Sequence, residues 1–345
     1  YPIDNPSDRF ILLDDLARVK TEMYEMFDDL VTVISRDSDF KFDDTTRRTV
    51  IGFFIQRVIE RVYEVMIDHY KPENVMVVGG LHYNVKLNNL IMKSIPGVFC
   101  AMPLAGDQGA AIGLYRKLNG TLKMPTLCIG RRNLIVPETT KTIGVRTTSE
   151  LVDAVVDRVS RDDVVQVVAG NMEFGPRALC NTSTFALPKE CNVDLINHVN
   201  GRNTVMPMAP VMLRRNLDCF FSPEQYSRVV GSDKYMILTY DYHHDKVEKY
   251  LGVAHRYPLS NRYSGRPQVV DTSDGYIYDV LDRLESKTRV KAIINTSFNV
   301  HGRPIVFSVE DAVDDHKYQR EQLRSSDISK DMLSLVILEG ENEIV

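Results

Sequence analysis

Arg177, Arg202, Arg266 and Arg303 each stand beside glycine or proline, as in Gly-Pro-Arg and Gly-Arg-Pro. Proline fixes the backbone angle φ, so the neighbouring guanidinium is held in place. A planar guanidinium binds phosphate or carboxylate through paired hydrogen bonds. A solvated basic face would more often use lysines on a helix, so this set favours an anion pocket. For Arg177, a surface ion pair with Glu173 is the structural alternative.

Two glycine turns follow short apolar runs that are typical of strands. Residues 74–78 lead into Gly79-Gly80, and residues 98–102 lead to Gly106-Asp107-Gln108-Gly109. Glycine lets the backbone approach a ligand, and ligands in open α/β sheets bind at the carboxyl ends of strands. Backbone amides at the second turn can hold phosphate, and Asp107 can bind a metal or a sugar hydroxyl. A structural tight turn and a helix cap are the alternatives.

Asn295-Thr-Ser-Phe-Asn299 offers neutral donors and acceptors after an apolar strand, although an Asx or Ser/Thr turn would have the same composition. No two of the 8 histidines have the four-residue spacing that places two metal ligands on one helix face. His82 and His255 lie in informative segments, where a hydrogen-bonding role is the simpler interpretation. The motifs of serine hydrolases, P-loop proteins and Rossmann domains are absent.

Composition excludes several classes of protein. The 345 residues carry 42 Lys+Arg against 47 Asp+Glu, a net charge of -5, which gives no overall basic field for nucleic acid. No apolar run approaches the roughly 18 residues of a membrane helix, and the start lacks signal-peptide features. The 5 cysteines never form CxxC, which predicts reduced thiols. We expect a cytoplasmic protein without membrane or nucleic-acid partners.

Hydrophobic periodicity predicts the elements that position these residues. In the first part of the chain, helices are predicted over 10–31, 44–70, 84–94 and from 110 onward. In the second part, they are predicted over 149–160 and 276–286, and Ser149 is the predicted N-cap of the first of these two. Strands are predicted over 164–168 and 290–294 as well as the two runs above. Their alternation predicts an α/β fold with a parallel, helix-covered sheet, followed by a mixed α/β region. A shift in composition divides the chain into 1–120, a linker at 121–148, and 149–345.

Taken in order, the motifs resemble the O-carbamoyltransferases of the nodulation-protein and cephem-antibiotic (NodU/CmcH) type. The matching pieces are VGGLHYN at 78–84, MPLAGDQG at 102–109, GNMEFGPRAL at 170–179, Gly201-Arg202 with MPMAP at 206–210, His255 with Arg266-Pro-Gln268, and NTSFN at 295–299. Together they cover most of the chain from about residue 50 onward.

The resemblance implies a fold and a two-step reaction. Residues 1–120 would be the second half of an actin-like (ASKHA) ATPase-type domain, and residues 149–345 a domain similar to the threonylcarbamoyl-adenylate synthase (YrdC-like) fold. In such enzymes carbamoyl phosphate and ATP give carbamoyl adenylate, and the actin-like domain passes the carbamoyl group to a hydroxyl. The acceptor would be a sugar, an antibiotic precursor, or a modified nucleoside or nucleotide. The implied cofactors are ATP, with carbamoyl phosphate as co-substrate, Mg with the ATP, and Fe or a similar metal at the transfer site.

The resemblance also assigns roles to residues by their motif positions. Arg177, Arg202, Arg266 and His255 are expected to be catalytic, and Asp107 is expected to bind the metal. The residues expected to bind substrate or nucleotide are Gly79, Gly80, Asn84, Gly106, Gly109, Glu173, Gly175, Gln268, Asn295, Ser297 and Asn299.

The sequence also departs from the family pattern. It begins inside what resembles the second half of the actin-like domain and has no HxxxH pair, so we expect the front half to be truncated, disordered or supplied by a second chain. Cys180 and Thr182 replace glycine and arginine of the family, and Met206 and Met208 replace arginine and phenylalanine. Two other functions follow: a nucleotide-binding partner subunit with an incomplete transfer site, and a threonylcarbamoyl-type tRNA-modification enzyme. The order of the motifs speaks against the second.

Overall fold

A computed structural model describes residues 17–29, 32, 44–119, 127–138, 144–202, 208–257, 261–323 and 332–340. The ends of the helix predicted over 10–31, parts of the predicted linker, and Met206 lie outside these residues. The described α-helices are α1 (17–29), α2 (Asp44–Tyr70), α3 (Val85–Ser94), α4 (Gln108–Asn119), α5 (Thr148–Ser160), α6 (Glu190–Val199), α7 (Tyr276–Thr288) and α8 (Val309–Gln322).

The described strands are short, and most of them lie after residue 140. They are β1 (Val75–Val77), β2 (Phe99–Ala101), β3 (Cys128–Gly130), β4 (Gly144–Val145), β5 (Val164–Val168), β6 (Met172–Glu173), β7 (Thr182–Ala186), β8 (Ala209–Leu213), β9 (Tyr240–Asp241), β10 (His255–Arg256), β11 (Tyr263–Gly265), β12 (Gln268–Val270), β13 (Ala292–Ser297) and β14 (Leu333–Leu338). The predicted helix over 44–70 and strand over 164–168 are confirmed with these bounds.

The N-terminal part, residues 17–119, holds a small parallel sheet between helices. β1 pairs with β2, with Val75 opposite Phe99 and Val77 opposite Ala101. α2 ends before Pro72, where Lys71 has a φ of 45° and donates its N–H to the Ile67 carbonyl at 2.7 Å. The residue before a proline is pushed out of the helical region, so this boundary is the one that the sequence predicts.

The C-terminal part, residues 127–340, is built on a seven-stranded sheet in the order β12-β8-β13-β7-β5-β14-β4. β12 with β8, β5 with β14, and β14 with β4 are parallel pairs, whereas β13 is antiparallel to both β8 and β7. The sheet is therefore mixed, and the predicted α/β class is confirmed. The YrdC-like and actin-like assignments stay predictions.

Helices cover both faces of this sheet because its strands alternate between two cores. In β5, Val165 and Val167 pack with α5 and α7, whereas Val164 packs towards α6 and Val168 towards α8. Every residue of β5 is buried, as in a central strand covered on both faces. The result is a three-layer α/β/α arrangement whose strand ends are free to carry the functional loops.

The predicted linker at 121–148 contains strands that the sequence analysis did not predict. β3 pairs with β6, and β4 extends the seven-stranded sheet beside β14. Leu134 and Val136 between them are buried in the core under α8. These strands have two or three residues, too few to show a periodicity, which explains why the sequence did not reveal them.

The two parts share a hydrophobic core. Leu87 and Ile91 of α3 and Phe99 of β2 join a cluster with aromatic residues of the C-terminal part, Phe220, Phe221, Tyr240 and Tyr242. The division of the chain into domains stays a prediction, but buried residues of both parts pack into this one cluster. Among the described helices, none combines the length and the apolar character needed to cross a bilayer.

The N-cap of α5 differs from the predicted one. Thr147, not Ser149, accepts the N–H of Glu150 at 3.2 Å, and the Glu150 carboxylate accepts the N–H of Thr147 at 3.2 Å. This reciprocal arrangement is a capping box, which requires Glu three residues after the cap. Ser149 has no such residue three positions on, so the Ser149 prediction is wrong.

We therefore expect Thr147→Ala to lower the free energy of unfolding by about 1 kcal/mol, because it removes the hydroxyl acceptor of the capping box. Ser149→Ala is the matched control, since Ser149 is exposed, and should change stability by less than about 0.5 kcal/mol. Urea denaturation followed by circular dichroism measures both. Equal effects of the two substitutions would contradict this assignment.

Candidate functional site

Glu173 organises the loop that carries Arg177, which we call the arginine loop (residues 170–182). Its Oε1 accepts the backbone N–H groups of Leu179, Asn181 and Thr182 at 2.8, 2.9 and 2.9 Å. Among the described residues no ion pair joins Glu173 to Arg177, so the alternative of a surface ion pair is wrong. A carboxylate that accepts three N–H groups fixes the backbone, and with it the position of the guanidinium.

Arg132 closes the same loop from the other side, and the sequence analysis missed it. Its guanidinium donates to the carbonyls of Gly170 at 2.8 Å, Ala169 at 2.7 Å and Asn181 at 3.0 Å, and to Thr182 Oγ1 at 2.7 Å. Burial lowers the Arg132 pKa, against the opposing charge of Glu173. Arg132 lies in the predicted linker, where no periodicity marked it as buried.

Arg177 and Arg266 form a cation pair beside this loop. Burial lowers the pKa of both, and for Arg266 burial and the nearby Arg177 charge lower it to about 10. Arg266 Nε is buried without a hydrogen-bond partner, and neither guanidinium has an ion pair within the described ranges. Two half-buried cations without carboxylates are costly. The pair therefore has the electrostatics of a site that awaits an anion.

His255 lies next to the pair, and together the three residues are called the arginine pocket. Its Nε2 donates to the Met208 carbonyl at 3.0 Å, because a carbonyl can only accept. Burial lowers the pKa of His255 to about 4, and the charges of Arg266 and Lys86 add to that effect. The ring is neutral at pH 7, so it can offer Nδ1 as an acceptor but does not add a charge.

Arg202 belongs to a second group of donors. Its Nη1 lies 3.4 Å from Asn197 Oδ1, and burial lowers its pKa. The Nδ2 atoms of Asn197 and Asn200 are buried without partners among the described residues. Buried amides without partners are rare in proteins, so these donors fit a ligand with several oxygen acceptors.

Ser297 and Asn299 face the same group. Ser297 Oγ donates to Asn299 Oδ1 at 2.6 Å, and Gln319 Nε2 contacts both Asn200 Oδ1 at 2.5 Å and the Asn299 carbonyl at 3.4 Å. Gln319 thus holds the NTSFN segment against the Asn-Gly-Arg segment. The alternative of an Asx or Ser/Thr turn accounts for the local contacts of Asn299, such as the bond that its Nδ2 donates to the Arg303 carbonyl. It does not account for the contact with Gln319.

Arg303 lies outside both groups. Its Nη1 pairs with Asp315 Oδ1 at 2.6 Å, and Asp315 Oδ2 accepts the Val300 N–H at 2.9 Å. The expectation that Arg303 contributes to the anion pocket is wrong, because its charge is already balanced by a buried carboxylate.

Gln268 and Asn295 are buried and contact each other. Asn295 Nδ2 donates to Gln268 Oε1 at 2.5 Å and to the Ala178 carbonyl at 3.2 Å, so the pair supports the arginine loop from beneath. Cys180 Sγ also donates to Gln268 Oε1, at 3.3 Å. Cys180 has a φ of 84°, a conformation that favours the glycine of the family pattern. Direct contact of Gln268 and Asn295 with substrate stays a prediction.

The glycine turns of the N-terminal part abut the arginine loop. A Cβ on Gly175, whose φ is 128°, would lie 3.0 Å from Leu104 Cδ2, and the Tyr83 ring lies 6.0 Å from the Arg177 guanidinium. A Cβ on Gly109 would lie 2.1 Å from the Leu104 carbonyl oxygen, so this glycine is required by the turn itself. The two parts therefore meet at the predicted site.

The remaining predicted residues of the N-terminal part shape its turns. Gly79 has a φ of 101° before a 3-10 helix that begins at Gly80, and Asn84 caps α3 by accepting the Leu87 N–H at 3.1 Å. Gly106 donates its N–H to the Tyr83 hydroxyl at 3.2 Å. Nucleotide contacts of these residues stay predictions.

Asp107 is exposed, directly before α4. In the part of the chain that the structure describes, no group of three or more His, Cys, Asp or Glu side chains could hold a metal ion. These residues alone do not fit the implied transfer-site metal, and we assign no step to it.

Substituting Arg132 should loosen the arginine loop. We expect Arg132→Ala to lower the free energy of unfolding by about 3 kcal/mol or more, because it leaves three carbonyls at the loop and Thr182 Oγ1 without their donor. The neighbouring Arg131 is exposed, and Arg131→Ala should cost less than about 0.5 kcal/mol. Urea unfolding compares the two, and a small loss for Arg132→Ala would show that the loop does not depend on it.

Comparison with known proteins finds relatives that match much of this chain. Residues 156–324 match the family model described as the carbamoyltransferase C-terminus. An uncharacterised protein of Methanocaldococcus jannaschii, MJ1051, is 29% identical over 301 residues, which are 81% of this chain and 55% of that protein. The nodulation protein NolO of Bradyrhizobium diazoefficiens is 25% identical over 293 residues, 78% of this chain and 52% of its own length. The chain thus spans about half the length of the curated relatives it matches.

Among solved structures, a variant of P. abyssi Sua5 is 12% identical with a TM-score of 0.36, covering 58% of this chain and 49% of its own. HypF in its phosphate- and nucleotide-bound form is 14% identical with a TM-score of 0.37, covering 56% of this chain and 25% of its own. These TM-scores are below those that establish a shared fold. The sequence matches, in contrast, confirm the resemblance predicted from the motifs, because the carbamoyltransferase C-terminus model and several nodulation proteins are similar to this chain.

Proposed function

We propose that this chain is part of an ATP-dependent O-carbamoyltransferase and forms carbamoyl adenylate in the arginine pocket. One observation carries the proposal: the half-buried Arg266 lies close enough to Arg177 for that charge to lower its pKa, its Nε has no hydrogen-bond partner, and no ion pair joins either guanidinium to a described carboxylate. An anionic substrate would offset their repulsion. The match of residues 156–324 to the carbamoyltransferase C-terminus model supports phosphates as those anions.

The reaction makes anionic groups that this pocket suits. Carbamoyl phosphate, ATP and one water give carbamoyl adenylate, pyrophosphate and phosphate. Negative charge grows on the pyrophosphate oxygens as the bond to the α-phosphorus breaks. Fixed guanidinium groups in a site shielded from water stabilise such charge without reorganising during the reaction.

The second donor group supports a larger ligand than one phosphate. Asn295 of β13 contacts the arginine loop through the Ala178 carbonyl, and Ser297 and Asn299 follow at the end of the same strand. Strand β13 therefore connects the arginine loop with the segment that faces the Arg202 group. We propose that the phosphates and the nucleoside of ATP span the two groups, with Mg carried in by the nucleotide.

We propose that the N-terminal part serves the second step, carbamoyl transfer to a small-molecule hydroxyl. Its glycine turns meet the arginine loop at Gly175, which would place the two steps side by side. The net charge of -5 favours a small acceptor over a polyanion. None of the described cysteines forms a disulfide, in keeping with a cytoplasmic location.

We expect the protein to release pyrophosphate when ATP and carbamoyl phosphate are both present. Arg177→Ala and Arg266→Ala should each lower kcat/KM by roughly a hundredfold, because each removes a charge that stabilises the leaving group. An enzyme-coupled pyrophosphate assay measures the rates, and omission of carbamoyl phosphate gives the background.

Arg283→Ala is the matched control. Arg283 is an exposed arginine paired with Asp153 at 2.5 Å, so its loss should leave the rate unchanged. Equal rates in the wild type and both pocket variants would remove the arginines from the site. Absence of pyrophosphate release from the folded wild type would refute the adenylation step.

A further inference from the structure

Lys86 extends from the N-terminal part towards the arginine pocket. It is the second residue of α3, and its Nζ donates to Ser264 Oγ at 2.6 Å and lies 3.9 Å from the centre of the Tyr257 ring. Ser264 and Tyr257 both belong to the C-terminal part, and Ser264 is fully buried. An ammonium has three N–H groups, and this hydrogen bond and ring contact leave one of them for another acceptor.

Hydrogen bonds hold the Lys86 end of α3 against the C-terminal part. Asn88 Nδ2 donates to the Ile237 carbonyl at 2.8 Å, and Asn89 Nδ2 donates to the Thr239 carbonyl at 2.6 Å. Both asparagines are buried, so these bonds to the C-terminal part are protected from water. The Lys86 ammonium is therefore positioned by the fold and does not depend on a chance surface contact.

The lysine continues the row of basic groups in the pocket. Ser264 pairs with His255 in the register of β11 with β10, and Arg266 follows two residues later. The charges of both Lys86 and Arg266 lower the His255 pKa, and Arg177 acts on Arg266 in turn. Basic side chains thus run from α3 through the β10–β11 hairpin to the arginine loop.

No described carboxylate neutralises Lys86 directly. Asp241 is the nearest acidic influence on it, but its oxygens accept from Lys93 at 2.8 Å, Arg262 at 2.7 Å and the Tyr257 hydroxyl at 2.6 Å. Glu60, the other acidic group that acts on Lys86, is paired with Arg57. Burial therefore prevails and lowers the Lys86 pKa to about 8.

We infer that Lys86 is a substrate-contacting residue of the arginine pocket, supplied by the N-terminal part, and that it binds a phosphate oxygen of ATP or carbamoyl phosphate. The inference rests on the proposed function for the identity of these anions. Binding of these anions in the C-terminal part would then require α3 to stay in its observed position. Neither the family motifs nor their spacing single out Lys86, which lies between Asn84 and Asn88 with no assigned role.

The test measures anion binding directly, with no need for turnover. Isothermal titration calorimetry with pyrophosphate probes the polyphosphate of ATP, and carbamoyl phosphate probes the other source. Lys86→Met, which keeps the length of the side chain, should weaken binding of one of these probes about tenfold or more. Lys86→Arg, which keeps the charge, should restore most of that loss.

Lys93→Met is the matched control, because Lys93 lies on the same helix but pairs with Asp241 at the surface. It should bind both probes as the wild type does. Melting temperatures separate the explanations: a purely structural lysine would lower the melting temperature of Lys86→Met and leave both affinities unchanged, and that result would overturn the inference.

A pH series adds a second readout. The groups that face Lys86 are Asp241, Lys93, Glu60, Tyr257 and His255, and the ammonium itself loses its proton near pH 8. Between pH 7 and 9 the wild type should lose affinity relative to Lys86→Arg, which stays charged, and comparison at each pH cancels the ionisation of the probe. Parallel curves for the two proteins would contradict direct contact.

The outcomes also separate this inference from the proposed function. Weakened binding in Lys86→Met together with a wild type that releases no pyrophosphate would sustain Lys86 as an anion contact and refute adenylation. A wild type that binds neither probe would overturn the pocket and the role of Lys86 with it.

Discussion

The arginine loop depends on one carboxylate oxygen. Glu173 Oε1 accepts three backbone N–H groups, and the Arg132 guanidinium takes the carbonyls that face the opposite way. This clamp satisfies polar backbone groups of a half-buried loop that has little regular structure of its own. Without it, the loop could not hold Arg177 against Arg266, because the two charges repel each other. Hydrogen bonds to Glu173 and Arg132 thus stabilise the loop against the repulsion between Arg177 and Arg266.

The same division of roles appears across the site. Gln268, Asn295 and Gln319 bond mainly to other polar groups of the protein, and they hold loops in place. Arg266 Nε and the Nδ2 atoms of Asn197 and Asn200 have no hydrogen-bond partner among the described residues, and Glu173 Oε2 and Asn295 Oδ1 have none either. Polar groups that are satisfied and polar groups that are not therefore lie next to each other. The donors without partners, Arg266 Nε and the two asparagine amides, are therefore the groups that an anionic ligand would satisfy.

Elements and site residues could be predicted from the sequence where a hydrophobic pattern was long or a motif was chemically specific. α2 and β5 were predicted with their observed bounds, because their hydrophobic patterns extend over the whole element. Glycine and proline next to arginine identified Arg177 and Arg266. The same signal failed for Arg303. No local pattern shows that Asp315, twelve residues further along the chain in α8, forms an ion pair with it. Arg132 and Lys86 were missed because their roles come from tertiary contacts with segments 37 to 178 residues away.

The core shared by the two parts has a practical consequence for dissecting the protein. The change in composition between residues 117 and 146 suggests a place to cut, yet Phe220, Phe221 and Tyr240 bury their rings against α3 and β2 from the far side of that boundary. A fragment starting near residue 149 would expose this aromatic surface to water, and exposed apolar patches of that kind promote aggregation. The smallest unit that keeps the C-terminal part soluble therefore includes α3, although the chain passes through a region of linker-like composition between them.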